Sequence, residues 1–288
     1  MGIQAHSLKE IISLKDKIFG EVLLISKLRL YLHPKEIITI NNLLPSNLNY
    51  LFANYQFGDF AEFYLSKILD NINITTIDYS DYEGANLIHD LNVPISSDFY
   101  NKYSLIVEGG TLEHLFNFPV AIKNMMLILK RNGFLIINTP SNNQSGHGFY
   151  QFSSELFYRV FSIENGFEIK KIYFLKSSYP SVELCINKIL VMPLDVLEDG
   201  VRAQYLSCLP IMLFILVKKI NLNELFTKPI LQSDYVLNWD QKYSSSLMFK
   251  ISKIIKFIPH NFKMHLKGLR EKYIYNFRNK KKFTKLND

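Results

Sequence analysis

The sequence predicts an α/β protein: a doubly wound, mostly parallel sheet of seven strands with helices on both faces and a helical C-terminal annex. Three observations carry this reading. Residues 103–139 form a strand–helix–strand unit, which implies a right-handed parallel crossover. Seven short apolar or β-branched runs alternate with helical patterns along the chain, the order expected of an open α/β sheet. The 288 residues suffice for one substantial core with a smaller annex.

Residues 1–19 read as a helix with Ile11, Ile12, Leu14 and Ile18 as its apolar stripe, punctuated by Gly20. Val22–Ile25 is an apolar run of the kind a buried parallel strand requires. Residues 35–70 look mostly helical around Phe60–Leu69, interrupted at Pro45 and Gly58. Ile74–Ile77 is β-branched throughout and ends on Asp78, a second strand. Leu87–Ile88, before Asp90, is a third. Leu105–Val107 is the fourth and leads into Glu108-Gly109-Gly110. Asn117 then caps a helix that has Pro119 in its first turn and runs to Lys130, where Asn132-Gly133 stop it. Phe134–Asn138 is the fifth strand. Ser153 or Ser154 caps a helix to Phe161, Gly166 turns the chain into strand Phe167–Leu175, and Ile211–Val217 is the seventh. The expected division is residues 1–19 as an N-terminal helix, 20–220 as the α/β domain and 221–288 as a basic helical extension.

Charge separates that extension from the body. Residues 242–288 carry 13 Lys/Arg against 2 acids, a net +11; the other 241 residues carry 20 basic and 24 acidic side chains, a net −4. Apolar residues from Leu247 to Ile258 and from Phe262 to Phe277 recur at helical spacing, with Pro259 between them. A pair of amphipathic helices with cationic faces suits a membrane surface. The same charge with Tyr273, Tyr275 and Phe277 suits nucleic acid, although the acidic body argues against a broad nucleic-acid cleft. A helical annex packed on the domain is the competing reading.

Several classes are excluded. Cys185 and Cys208 are too few for a disulfide framework, and no Cys/His spacing suggests zinc, so no metal is expected. Met1–Lys17 lacks an apolar signal core, and His6 stands where N-myristoylation wants Ser or Thr. The longest apolar run, Leu209–Val217, is too short to span a bilayer. The expected location is cytoplasmic, peripheral to a membrane if the tail binds one.

In an open α/β sheet ligands sit beyond the carboxyl ends of the strands. Asp78, ending its strand, can offer two oxygens to a ribose diol; an acidic loop residue or cap is the alternative. Gly109 and Gly110 would let the backbone approach a ligand closely, or simply turn. Glu113 and His114 follow at the mouth of that site, and His147, in Gly146-His147-Gly148, and Tyr150 lie after the next strand. Imidazole titrates near neutral pH and can take a proton from a hydroxyl or amine. Structural hydrogen bonding competes with that role for both histidines.

The segment Tyr103–Asn138, with Leu112-Glu113-His114 and then Leu129-Lys130-Arg131-Asn132-Gly133 before Pro140, resembles class I S-adenosylmethionine-dependent methyltransferases. Phe152-Ser153 and Gly166-Phe167-Glu168 continue the likeness. It covers residues 74–175 well, and 20–26 and 209–219 loosely. The resemblance implies a methyltransferase-like Rossmann fold and S-adenosylmethionine as cofactor. It places Asp78 on the ribose, Asp90 and Leu91 at the adenine, and Gly109, Gly110 and Glu113 along the remainder. The implied reaction moves a methyl group to an oxygen or nitrogen of a small molecule or sugar, resting mainly on in-line positioning, with His114 or His147 as base. The pattern fails in one place. The glycine-rich loop after the first strand is replaced by "SKLRLYLHP", and Ser104 stands where the family usually has Asp. The alternative function is therefore a catalytically silent member of the fold, a binding or assembly protein.

Overall fold

The computed structural model describes residues 2–176, 188–191, 207–233, 235–236, 260–274 and 284–285. The body is one sheet of nine strands in the order β11-β9-β8-β10-β7-β6-β2-β4-β5. All seven expected strands are in it: β2 Glu21–Ile25, β4 Ile74–Asp78, β5 Leu87–Ile88, β6 Tyr103–Glu108, β7 Leu129–Asn142, β8 Phe167–Lys176 and β10 Ile211–Lys219. Two short strands, β9 Lys188–Val191 and β11 Thr284–Lys285, extend the edge beyond β8. Strands β5, β4, β2, β6 and β7 are parallel neighbours, whereas β10 runs antiparallel between β7 and β8.

The apolar runs are continuous because the sheet is covered on both faces. Alternate residues go to opposite cores: Val22, Leu24, Leu105, Val107 and Ile136 to one, Leu23, Ile25, Ile106, Leu135 and Ile137 to the other. Helices α1 Ala5–Leu14, α2 Pro34–Asn41 and α3 Ala61–Ile68 cover the first face, with Leu8, Ile11, Ile40 and Leu65 fully buried. Helices α4 Phe118–Ile128 and α5 Ser154–Val160 cover the second, through Ile122, Met125, Met126 and Phe157. Ser153 is the cap of α5, its hydroxyl accepting from the Glu155 amide.

Four sequence expectations need correction. The N-terminal helix begins only at Ala5; before it, β1 Gly2–Gln4 pairs in parallel with an unforeseen strand, β3 Arg29–Tyr31, in a separate two-stranded sheet. A run of three residues carries too little periodicity to be read as a strand. Residues 35–70 hold α3 where a helix is expected around Phe60–Leu69, but before it only the short α2, a 3-10 turn and loops. Asn117 sits at the start of α4 without capping it, because its side-chain amide donates to the Asn92 carbonyl. Finally, α4 stops at Ile128, short of Lys130, and Asn132 alone takes the left-handed conformation. The Lys219 ammonium explains the stop. It reaches in from the end of β10 and donates to the carbonyls of Met126 and Leu129, both at 2.8 Å, in a setting buried enough to lower its pKa to about 8.

Of the expected basic helices, residues 260–274 form α6, His260–Ile274, on which Phe262, Met264, Leu266 and Leu269 are exposed. Residues 242–259, Lys280-Lys281-Lys282 and Cys185 lie outside the described residues. Among the described residues no helix is long and apolar enough to cross a membrane.

Helix α1 is tied to the sheet by polar contacts. His6 Nε2 lies 3.0 Å from Asn138 Oδ1, and the Asn138 amide donates to Ser7 Oγ at 2.7 Å. Desolvation lowers the His6 pKa from 6.5 to about 4, against the pull of the Asn138 bond. A histidine depressed in the fold contributes stability above its unfolded pKa, and that contribution is lost as pH falls from 6.5 towards 4. We expect thermal unfolding to show a loss of about 3 kcal/mol across that window. The His6→Gln variant should lose less, since its amide can keep the Asn138 contact without titrating.

Candidate functional site

The carboxyl end of β6 turns back on itself. Glu108, fully buried, points its carboxylate at the loop that follows. Its Oε1 accepts from the amides of Gly110 at 2.9 Å and Leu112 at 3.0 Å, and also from that of Thr111. Burial, and then the nearby Glu113 carboxylate, push the Glu108 pKa up to about 8; the three amides oppose the rise only in part. This knot holds the 3-10 turn Leu112–His114 against the sheet.

Glu113 is 1% exposed, an unusual burial for a carboxylate. Oε2 accepts from the Thr139 hydroxyl on β7 at 3.1 Å. Oε1 is buried with no hydrogen-bond partner and lies 3.6 Å from His147 Nε2. The Glu113 carbonyl accepts from the amides of Phe149 at 2.8 Å and Tyr150 at 3.2 Å, so the 146–150 loop is pinned to Glu113 through its backbone. Gly148 makes that approach possible. Its φ is +79°, and a Cβ there would lie 2.8 Å from the Glu113 carbonyl oxygen. Gly148 thus lets the loop bend around Glu113 itself.

His114 and His147 are both exposed, their ring centroids 5.2 Å apart. Around them stand Phe116 and Phe149, edge to face and largely solvent-exposed. Tyr150 donates to the Phe116 carbonyl at 2.9 Å. The structure therefore brings Glu113, His114 and His147 together at the carboxyl edge of β6 and β7, with ligand atoms all within 4.8 Å of one another.

The remaining candidates make local contacts. Asp78 ends β4 half-exposed, one oxygen accepting from the Tyr79 amide at 2.7 Å. Asp90 accepts from the backbone amide and the side chain of Asn92, bonds that lower its pKa and close a turn. Leu91 is buried in the second-face core. Gly110 has φ +102° and its amide is used by Glu108. At Gly109 a Cβ would meet Leu28 Cδ2 at 2.9 Å and the Gly2 carbonyl at 3.0 Å, while Gly2 donates to the Gly109 carbonyl at 2.8 Å.

That covering bears on S-adenosylmethionine. After β2 the chain turns through Ser26, at φ +67°, and buries Leu28 before entering β3. Leu28 and β1 fill the space over Gly109, where the resemblance expects a cofactor to approach. The covered backbone of Gly109 does not fit the close approach of a cofactor expected there.

Sequence reasoning missed Glu108 and Thr139. Glu108 was visible as an acid closing an otherwise apolar buried strand, a costly placement that calls for partners. Thr139 carried no such mark.

The order of the seven expected strands, with one antiparallel strand inserted between β7 and β8, settles the architecture. The chain has the methyltransferase-like Rossmann fold. No protein-family model and no curated protein matches the sequence. Among solved structures, a SAM-dependent methyltransferase from Aquifex aeolicus is similar at 11% identity and TM-score 0.36, over 74% of this chain and 88% of that one. The YcgJ protein from Bacillus subtilis is similar at 10% identity and TM-score 0.37, over 74% and 97%. The branched-chain polyamine synthase from Thermus thermophilus is similar at 12% and 0.36, over 80% and 60%. Activity has to be argued from the site itself.

Proposed function

We propose that this methyltransferase-fold chain is an enzyme acting on an oxygen or nitrogen of a small molecule or sugar, and that the acceptor is held and loses its proton at Glu113, His114 and His147. One observation carries the reading: a buried, hydrogen-bonded carboxylate faces two exposed imidazoles at the carboxyl edge of the sheet, where open α/β folds bind ligands. Imidazole exchanges protons near neutral pH. The exposed rings of Phe116 and Phe149 offer an apolar rim against which a sugar or aromatic face can pack.

S-adenosylmethionine is the donor that the sequence resemblance suggests, with Asp78 at its ribose. The covered backbone of Gly109 favours a second reading, a catalytically silent protein that binds a small molecule or assembles with a partner. Calorimetry with S-adenosylhomocysteine separates the two. The enzyme reading expects binding that Asp78→Ala weakens about tenfold or more, the loss of hydrogen bonds to a charged group. No heat at millimolar ligand would leave the silent protein. Binding that is indifferent to Asp78→Ala would remove the ribose role alone.

A further inference from the structure

We propose that Glu113, His114 and His147 form a binding site for a divalent cation of the zinc class, held by one carboxylate oxygen and two imidazole nitrogens. The inference uses the cluster assigned above to the acceptor but does not depend on methyl transfer.

The donor set comes first. One carboxylate and two imidazoles are ligands that zinc and its first-row neighbours accept, and three protein ligands leave a position open for water or substrate. Distance supports it. Two ligands bonded at about 2.0–2.1 Å to a tetrahedral ion stand roughly 3.4 Å apart, and Glu113 Oε1 lies 3.6 Å from His147 Nε2. His114, exposed on its turn, needs only side-chain rotation to close the set, since all three ligand atoms already lie within 4.8 Å.

The second observation is the state of Glu113. Its Oε1 is buried, has no hydrogen-bond partner and faces His147. Leaving such an atom unsatisfied is costly, and a cation at this place would satisfy it. Its other oxygen is held by Thr139, the outer-shell bond that fixes a ligating carboxylate in orientation. Loop and ligand are also built on one another, because the amides that follow Gly148 donate to the carbonyl of Glu113. An ion pair between Glu113 and His147 alone would leave the approach of His114 without a role.

A cation here would also change how the acceptor loses its proton. A hydroxyl bound to the open position becomes more acidic, and the imidazoles act as ligands instead of bases.

The test uses the full chain, stripped with a chelator and dialysed, without donor or acceptor. Cobalt(II) should give the visible bands of a low-coordinate site, and zinc should displace it at one ion per chain. His114→Ala and His147→Ala, both surface changes, should each weaken zinc binding roughly tenfold or more, and Thr139→Val about tenfold through orientation. His265→Ala, on α6, should leave affinity unchanged. Absence of cobalt bands together with absence of zinc binding overturns the site. So does zinc affinity that neither His114→Ala nor His147→Ala alters. Circular dichroism confirms that each variant is folded. Because S-adenosylhomocysteine is absent, failure here leaves the donor question untouched, and failure of the donor experiment leaves the cation site untouched.

Discussion

Replacing Glu108 by Leu should destabilise the protein by about 3 kcal/mol or more, one of the largest single-residue effects expected outside the apolar core. Three amides, those of Gly110, Thr111 and Leu112, converge on one carboxylate oxygen inside the molecule. A leucine there accepts nothing. Each stranded buried amide costs about 1–3 kcal/mol, and removal of a buried carboxyl group offsets only part of the sum. Glu108→Gln should behave differently. Its carbonyl oxygen keeps the acceptor, and the neutral amide avoids the burial cost and the repulsion from Glu113 that together raise the Glu108 pKa. Urea unfolding should therefore place Glu108→Gln within about 1 kcal/mol of the parent. A leucine variant equally close to the parent would mean that the three amides find other partners.

Gly148→Ala should be the more informative lesion, because it attacks the site without replacing any of its three ionisable side chains. At φ +79° an alanine carries left-handed strain of about 1–2 kcal/mol. Its Cβ would also press on the Glu113 carbonyl at 2.8 Å, an atom of the backbone that cannot swing aside. The loop must lift, breaking the bonds from the Phe149 and Tyr150 amides to Glu113. A total cost of about 2–4 kcal/mol follows from strain plus two hydrogen bonds. His147 should then part from Glu113, visible as a change in its imidazole NMR signals. Gly146→Ala is the control: φ is +87° but nothing lies within 4 Å of its Cβ, so only the strain applies. Equal effects of the two substitutions would show that contact with Glu113 is not what Gly148 provides.

Much of the fold was legible because the sheet is buried on both faces. Apolar runs such as Leu105-Ile106-Val107 and Ile211–Val217 can hardly be anything but interior strands once turn residues bound them. The segment between β2 and β4 was not legible. Arg29–Tyr31 is a strand only because Gly2–Gln4 lies beside it, a long-range pairing that no local pattern records. The same limit applies to the site. Glu113 and His114 were singled out by position, and His147 by its flanking glycines, yet their meeting depends on the amides of Phe149 and Tyr150 folding back onto the distant carbonyl of Glu113. The expectation that the chain holds no metal rested on sequence spacing, which cannot see ligands drawn from two separate loops.

The contact between His6 and Asn138 joins residues 132 positions apart. During synthesis, residues 2–14 are therefore finished long before the strand that receives them exists. At roughly 5–20 residues per second the wait is on the order of ten seconds. For most of it, β3 and α2, which pack against β1 and α1, are already made, but the polar ties of α1 to β7 cannot yet form. Nascent chains that stall before β7 would lack the bonds of His6 and Ser7 to Asn138. The segment that closes over Gly109 thus waits for β7 before its polar ties are complete.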